Sequence, residues 1–259
     1  MSVFAERVTR RVPLSPDEVA FLEALEASPR RYERHQHVTR AGDDATEAFV
    51  VVSGWAMSYS QFGDGTCQVR RLHFPGDLLA MPSVPMRHYA EDIQTLSAAV
   101  IAPFPKRLLA RLFDFPRLAA VMYMFAQAER ITSGDRLASV GRSSAKARVA
   151  FLLLDILHRL RATGEAVGAS FHMHLTREQI GQVTGMTGVH ASRTWTELVA
   201  EGLVSNEGPI VTVRDEAALR ALSGYHDRDG DFDLQWLAHC DGFDLHSYAS
   251  AGWASPRCR

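Results

Sequence analysis

The sequence predicts an α+β chain: a roll or sandwich of short strands in the first half, helices in the second. Three observations carry this. From Tyr32 to Phe104, short β-rich runs alternate with Gly and Asp turns. After Pro105, apolar residues shift to a helical period. Around Gly185, two short helix patterns are separated by a glycine turn.

The first element is a short helix. Ser15 is placed to cap it, Pro16 suits its first turn, Glu18 completes a capping box, and Leu14 and Val19 form a staple; the helix should reach about Leu25. Strands follow over Ala48–Val52, Trp55–Gln61, Gln68–Phe74 and Ala99–Phe104, with Gly63-Asp64-Gly65 as a hairpin turn. Beyond Pro105 a long helix runs from Pro116 to about Val140. Its stripe of Leu118, Val121, Met122 and Phe125 is read as a seam with a second copy of the chain, an ordinary core helix being the other reading, and it fades into Glu129, Thr132 and Ser133. Gly141-Arg142-Ser143-Ser144 breaks this helix. The next carries Val149, Leu152, Leu153, Ile156, Leu157 and Leu160 on one face and stops at Gly164.

Composition narrows the function classes. The chain has 259 residues, 46% of them hydrophobic, enough for a real core in one large or two small domains. It shows no apolar run of membrane-spanning length and no secretory leader, so a soluble, cytoplasmic protein without a membrane partner is expected. Cys67, Cys240 and Cys258 fit neither a disulfide framework nor a metal spacing. The net charge of −2 excludes a generic polyanion binder, so any nucleic-acid site must rest on a local arrangement of charge.

Such an arrangement follows Leu175. Thr176 caps a helix, Gln179 closes its capping box, and Leu175 staples to Ile180. That helix can run only to Gly185; Thr187 then caps a second one reaching about Glu201. The pair is a helix-turn-helix, and Leu203–Ser205 with Ile210–Val213 across Asn206-Glu207-Gly208-Pro209 read as a two-stranded wing. On the second helix, Ala191, Thr194, Trp195 and Leu198 are spaced to face the domain. Val189, Ser192, Arg193 and Thr196 share another face, small and uncharged apart from Arg193, which suits a major groove. Arg193 alone on that face can contact guanine bidentately; in an isolated helix it would read as a solvated surface arginine.

Here the sequence resembles the Crp/Fnr family. Leu175–Val204 is similar to its helix-turn-helix, with the T-R-x-x-I-G-x-x-x-G block and a late Arg. Gly54, Asp64-Gly65 and Phe74-Pro75-Gly76-Asp77-Leu78 resemble elements of its β-roll, and the likeness spans about Leu14 to Leu222. The resemblance implies a cyclic-nucleotide-binding-like β-roll, a long dimerisation helix and a C-terminal winged helix-turn-helix. It implies a homodimeric transcription regulator binding double-stranded DNA at a two-fold-related site, with RNA polymerase and an unknown small-molecule effector as further partners. On this reading residues 1–115 form the sensory domain, 116–141 the dimerisation helix and hinge, 142–224 the DNA-binding domain, and 225–259 an acidic, aromatic tail. The expected DNA-binding set is Thr176, Arg177, Thr187, Gly188, Val189, His190, Ser192, Arg193 and Thr196.

The chain departs from the family pattern at several points. Well-known members carry a Glu four residues before the late Arg; here Val189 stands there, and Gly188–Arg193 resembles a variant V-H-x-x-R branch with a different target. Cyclic-nucleotide binders use a Glu for the ribose and an Arg followed by a small hydroxyl residue for the phosphate. Here no Glu follows Asp77 closely, and Arg87 precedes His88. A pocket built on Met81, Arg87, Thr132 and Ser133 is therefore expected to take an effector other than cyclic AMP. The cysteine cluster of oxygen-sensing members is absent, and no cofactor or metal is expected.

Two rivals use other residues. A cupin-like metal-dependent enzyme would draw on His35, His37, Glu47 and Gly54, but the His37-to-Glu47 spacing is too long and the helix-turn-helix stays unexplained. A haem-based gas sensor would use Cys67 and His73, although a lone Cys in such a strand more often serves as a small hydrophobe. Asp227, Asp229, Asp231 and Asp233 imitate a calcium loop without its closing Glu and read as a solvated tail, whose apolar residues Phe232, Trp236, Leu237, Phe243, Tyr248 and Trp253 could dock on the DNA-binding domain or a twin subunit.

Overall fold

The computed structural model describes residues 1–228. Most of the acidic, aromatic tail, including Asp229, Asp231 and Asp233, its aromatic residues beyond Tyr225, Cys240 and Cys258, lies outside the described residues.

Two helices open the chain, α1 (Val3–Thr9) and α2 (Pro16–Ala24). The sequence reading had no signal for α1, whose seven residues are held by an N-cap from Ser2 and by burial of Phe4, Ala5 and Val8. In α2 the Ser15–Glu18 capping box forms as expected, each side chain accepting from the other's backbone N–H.

Eight strands follow: β1 (Arg30–Tyr32), β2 (His37–Thr39), β3 (Glu47–Ser53), β4 (Ala56–Gln61), β5 (Cys67–His73), β6 (Leu78–Leu79), β7 (Asp92–Thr95) and β8 (Ala99–Pro105). They form two antiparallel sheets, ordered β1-β8-β3-β6 and β2-β7-β4-β5. The chain passes between them at Gly54, where φ is +79° and a Cβ would stand 2.4 Å from the Ala98 carbonyl oxygen, so only glycine fits. Inward residues such as Phe49, Val51, Leu79, Ile93 and Ile101 close the space between the sheets. The short strands β1, β2, β6 and β7 escaped the sequence reading because two to four residues show too little alternation to stand out from turns.

A 3-10 stretch, Lys106–Asp114, leads into the long helix α3 (Pro116–Arg142). Its early stripe corrects the sequence reading. Leu118 and Val121 are fully buried, and Met122 and Phe125 are partly buried, in a cluster with α1, α2 and the roll of the same chain. A helical apolar stripe shows that a face is covered, not by which partner. The outward face of α3 carries Tyr123, 61% exposed, and Leu137, 75% exposed.

At Ser143 the backbone turns extended, and α4 (Ala145–Thr163) begins under the cap of Ser144. Then come β9 (Ser170–His172), α5 (Arg177–Thr184), α6 (Gly188–Ala200), β10 (Val204–Glu207), β11 (Ile210–Val213) and α7 (Glu216–Ser223). The last three strands form an antiparallel sheet in the order β10-β11-β9. The α4 stripe is buried throughout its length and centres a core that also holds Ile180, Trp195 and Leu198. That core continues into the roll through Trp55, Leu72 and Phe74, so the helical domain is seated on the β-roll by apolar contact. Among the described residues, no helix is long and apolar enough to cross a membrane.

Candidate nucleic-acid interface

The helix-turn-helix is held by local chemistry legible in its sequence. Thr176 and Gln179 make a reciprocal capping box on α5, and Thr187 Oγ1 accepts from the His190 N–H at the start of α6. The angle between the helices depends on two close approaches. A Cβ on Gly181 would lie 2.5 Å from the Met186 carbonyl oxygen, and one on Gly188 would lie 3.1 Å from Glu178 Cα. Gly185 supplies the left-handed turn at φ +67°.

The second helix presents its two faces as its spacing requires. Ala191, Thr194, Trp195 and Leu198 are buried, whereas Val189, His190, Ser192, Arg193 and Thr196 are exposed. Trp195 anchors the helix. Its ring is covered by the Arg177 guanidinium at 3.7 Å, and its indole N–H donates to Asn206 Oδ1 of the wing at 3.4 Å. Half-burial lowers the Arg177 pKa. Thr176 and Thr187 are exposed beside the recognition face, with their hydroxyls already used as caps. The structure thus brings all nine residues of the expected DNA-binding set onto α5, α6 and their caps.

A residue missed in the sequence reading is Arg214, which follows β11 and donates to Ser205 Oγ at 2.9 Å. A cation at the end of the second wing strand was its available signal. Lys146 pairs with Glu197 on α6 and with Glu201 at its C-cap, which removes it as a simple phosphate contact.

The long helix reaches this unit directly. A Cβ on Gly185 would stand 2.9 Å from Val140 Cγ1 of α3. Arg148 of α4 donates to the carbonyls of Thr184, at 2.9 Å, and Gly185, at 3.1 Å, where α5 ends and the turn begins.

A cluster of charges joins the halves of the chain. Asp77, 2% exposed, receives the guanidiniums of Arg7 from α1, Arg71 from β5 and Arg159 from α4, and accepts the Phe74 N–H at 2.9 Å. Burial alone would raise its carboxyl pKa, but Arg159, Arg7 and Arg71 hold it well below the ordinary carboxylate range. Arg159 also stacks on Phe74 at 4.4 Å and donates to the Leu72 carbonyl at 3.0 Å.

The expected effector set does not form one site. Met81 and Thr132 line a cavity of about 410 Å³ between α1, α3, α4 and the Gly76–Pro82 segment. Ser133 lines a neighbouring cavity of about 310 Å³ that shares Arg71, Arg136 and Asp155 with the first. Arg87 is exposed on the roll and lines neither. Ala80, at φ +60°, turns the Met81–Ser83 segment that the sequence treats as continuous.

The rival constellations do not converge. His73 is buried with Nε2 3.1 Å from Ser58 Oγ, and burial with the neighbouring Arg71 keeps its ring neutral. Cys67 lies at the other end of β5, about 20 Å away at strand rise, too far to share an iron with His73. Among the described residues, no three His, Cys, Asp or Glu side chains are grouped to hold a metal ion, His35, His37 and Glu47 included.

Comparison with known proteins agrees with this architecture. The Cyclic nucleotide-binding domain family matches residues 29–114, and the Crp-like helix-turn-helix domain family matches residues 147–222. An Anaerobic regulatory protein of Aggregatibacter actinomycetemcomitans is 24% identical over 212 residues, 82% of each chain. The Transcriptional activator protein anr of Pseudomonas aeruginosa is also 24% identical, over 82% of this chain and 86% of its own. The solved structure of FixK2 from Bradyrhizobium japonicum superposes with a TM-score of 0.69 at 22% identity, over 77% of this chain and 98% of that one, which shows the shared fold. With both domains matched in that order on a roll, a long helix and a helix-turn-helix, the chain belongs to the Crp/Fnr family of transcription regulators and is a DNA-binding protein rather than an enzyme.

Proposed function

We propose that the protein acts as a homodimer on a two-fold-related DNA site, reading bases with the exposed face of α6 and responding to a small molecule sensed between the roll and the long helix. The observation that carries this reading is the separation of faces on α6: Trp195 and Leu198 hold the helix to its domain while Val189, Ser192, Arg193 and Thr196 face outward. Arg193 is the guanine reader, Val189 offers methyls to a thymine methyl, and Thr176, Arg177, Thr187, Gly188 and His190 sit where the backbone phosphates pass. RNA polymerase is the further partner of such a regulator.

The dimer seam we assign is the outward stripe of α3. Tyr123, Arg130 and Leu137 recur every seven residues, with Gln127, Gly134 and Gly141 at the intervening positions, and all but the half-buried Gln127 are exposed. Two-fold pairing there would carry two recognition helices to successive major grooves about one helical turn apart. The effector differs from cyclic AMP, because Met81 offers no carboxylate to a ribose and Arg87 lies out on the surface.

The test is a binding selection on randomised half-sites with wild type, Arg193→Ala and Val189→Glu. Arg193→Ala should lose about 1–3 kcal/mol of base discrimination while keeping salt-sensitive binding. Val189→Glu should move preference toward a cytosine-bearing half-site. Identical preferred sequences from all three proteins would sink the assignment of this face. Tyr123→Glu should yield a monomer by light scattering, and an unchanged dimer would move the seam elsewhere.

A further inference from the structure

The cavity of about 410 Å³ between α1, α3, α4 and the Gly76–Pro82 segment has two kinds of wall. Four aromatic rings, Phe4, Phe125, Phe151 and Tyr225, and two methionines, Met81 and Met122, form the apolar one. Phe151 and Tyr225 meet edge to face at 5.2 Å and brace each other, whereas the unbranched methionines can adapt to the outline of a guest. Rings and thioethers together favour a guest that is itself a ring system, because thioether sulfur and ring edges both pack well on an aromatic face. The volume and the mostly apolar lining are those of a small-molecule site.

The other wall is charged, but its charges are engaged with one another. Asp77 receives Arg7, Arg71 and Arg159. Glu129 takes Arg71 at 2.8 Å, and Asp155 takes Arg136 at 2.8 Å. Asp135 accepts from Nε and Nη2 of Arg228 at 3.0 and 3.2 Å, and His158 is hydrogen-bonded to Asp227 at 2.9 Å. The guanidiniums of Arg7 and Arg11 also lie over the Phe125 ring, at 5.8 and 5.4 Å. A charged guest would give up its hydration and would have to draw one of these groups away from its partner. A neutral guest leaves every pair intact.

We propose that this cavity binds an uncharged aromatic molecule of roughly two or three rings, packed against Phe125, Phe151 and Tyr225 and bounded by Met81 and Met122. The class sets cyclic nucleotides, phosphates and carboxylic acids aside together, since each brings a charge that the wall does not need. The site lies outside the roll's own interior, which is filled by side chains such as Phe49, Leu79 and Ile93. Phe151 belongs to α4 and Tyr225 follows α7, so the guest touches the DNA-binding domain as well as α3 and the Gly76–Pro82 segment of the roll. A guest that fits one seating of that domain better than another shifts the balance between them. That consequence rests on the proposed function above, for whose effector it names the chemical class; the binding itself does not.

The experiment titrates the full chain into a low concentration of N-phenyl-1-naphthylamine, read by its fluorescence, beside 8-anilino-1-naphthalenesulfonate, which adds one negative charge to the same rings. The neutral probe should bind with a Kd on the order of 100 µM, as expected for a ligand of its size. The sulfonate should bind at least about tenfold more weakly, because its charge finds no unengaged partner. Methyl NMR of the wild-type chain locates the site: the neutral probe should shift the Met81 and Met122 methyl signals saturably and leave those of Met173 and Met186 in place. Ala128→Trp, which fills the cavity from α3, should abolish both the shifts and the fluorescence change. Sulfonate binding as tight as the neutral probe, no saturable shift at Met81 and Met122, or retention by a folded Ala128→Trp would each overturn the proposal. The first two readouts use wild-type protein, so they stand if the variant fails to fold. DNA binding measured on the same samples separates the two readings: intact DNA binding with no neutral-probe site removes only this inference.

Discussion

Asp77→Asn isolates what the buried charge does for the fold. Asparagine has nearly the shape of aspartate and can keep the Phe74 N–H bond, so the change opens no cavity and removes only the charge. Three guanidiniums then lose their shared counter-charge. One of them, Arg159, donates at 2.5 Å and belongs to the DNA-binding domain. Asp77 is 2% exposed and Arg159 is 16% exposed, so solvent screens the pair weakly. Breaking a buried pair by removing one partner costs about 3–5 kcal/mol, which for a chain of this size lowers Tm by roughly 6–20 °C. The assay is urea unfolding of wild type, Asp77→Asn, Arg159→Met and the double mutant. The coupling in that cycle should exceed about 1 kcal/mol, because the residues touch. The arginines hold the Asp77 pKa well below the ordinary carboxylate value. Its contribution is therefore complete above that ordinary value and is lost only as pH falls through the depressed one, so the cost of Asp77→Asn should not change between pH 5 and pH 8. A loss under about 1 kcal/mol, or strictly additive single effects, would refute the view that Asp77 clamps the two domains.

Other consequences are open to measurement. His174, edge-on to Trp55 at 5.0 Å, has its pKa lowered to about 4 by burial, with His172 and Arg34 adding to the effect. The unfolded chain binds this proton first as pH falls from about 6.5, so stability should drop by about 1–3 kcal/mol between pH 7 and pH 4; unfolding of His174→Gln should show a visibly flatter pH dependence, and an unchanged profile would reject the cause. Gly181→Ala should destabilise the DNA-binding domain by about 1–3 kcal/mol through overpacking against the Met186 carbonyl and should weaken DNA binding, as read by calorimetry and gel shift. Trp195→Ala should cost about 3–5 kcal/mol, and a loss under 1 kcal/mol would mean that the ring does not anchor α6.

The sequence made the DNA-facing unit legible almost residue by residue, because its determinants are local. Thr176 and Gln179 are three residues apart, Gly185 marks the stop of a helix, and Trp195 and Arg193 lie on faces fixed by a 3.6-residue period. The long helix was legible as a helix but not in its partner: Leu118 and Val121 meet α1 and α2, which lie about a hundred residues earlier, and no periodicity encodes that pairing. Tyr123, Arg130 and Leu137 drew no notice because only two of the three are apolar. The effector set failed for a related reason. Met81 and Ser133 are placed by two folding events, the left-handed turn at Ala80 and the docking of α4 on the roll, and they ended beside different cavities. The charge cluster was invisible to the sequence reading, since Arg7, Arg71, Asp77 and Arg159 come from three separate regions and each reads alone as a surface charge.

These long-range contacts link the roll to the DNA-binding unit without a separate messenger element. Arg71 and Arg136 meet over Glu129, Arg136 holds Asp155 of α4, and Arg159, one helical turn beyond Asp155, is inserted against Phe74 and Asp77. Near its C-terminal end α3 places Val140 on Gly185, and α4 places Arg148 on the carbonyls of the same turn. A change in the ion pairs at Arg136 therefore acts on two helices that both touch the turn between α5 and α6. That turn has little freedom of its own, since Gly181 and Gly188 are already at contact distance with their neighbours. Displacing α3 or α4 should move α5 and α6 together as one body rather than opening the angle between them. On the function proposed above, regulation would be a choice between placements of an intact helix-turn-helix, which predicts that effector-insensitive variants will map to Arg136, Asp155 and Arg159 rather than to the recognition helix. A mutational screen for constitutive DNA binding reads this directly, and hits confined to α6 would refute it.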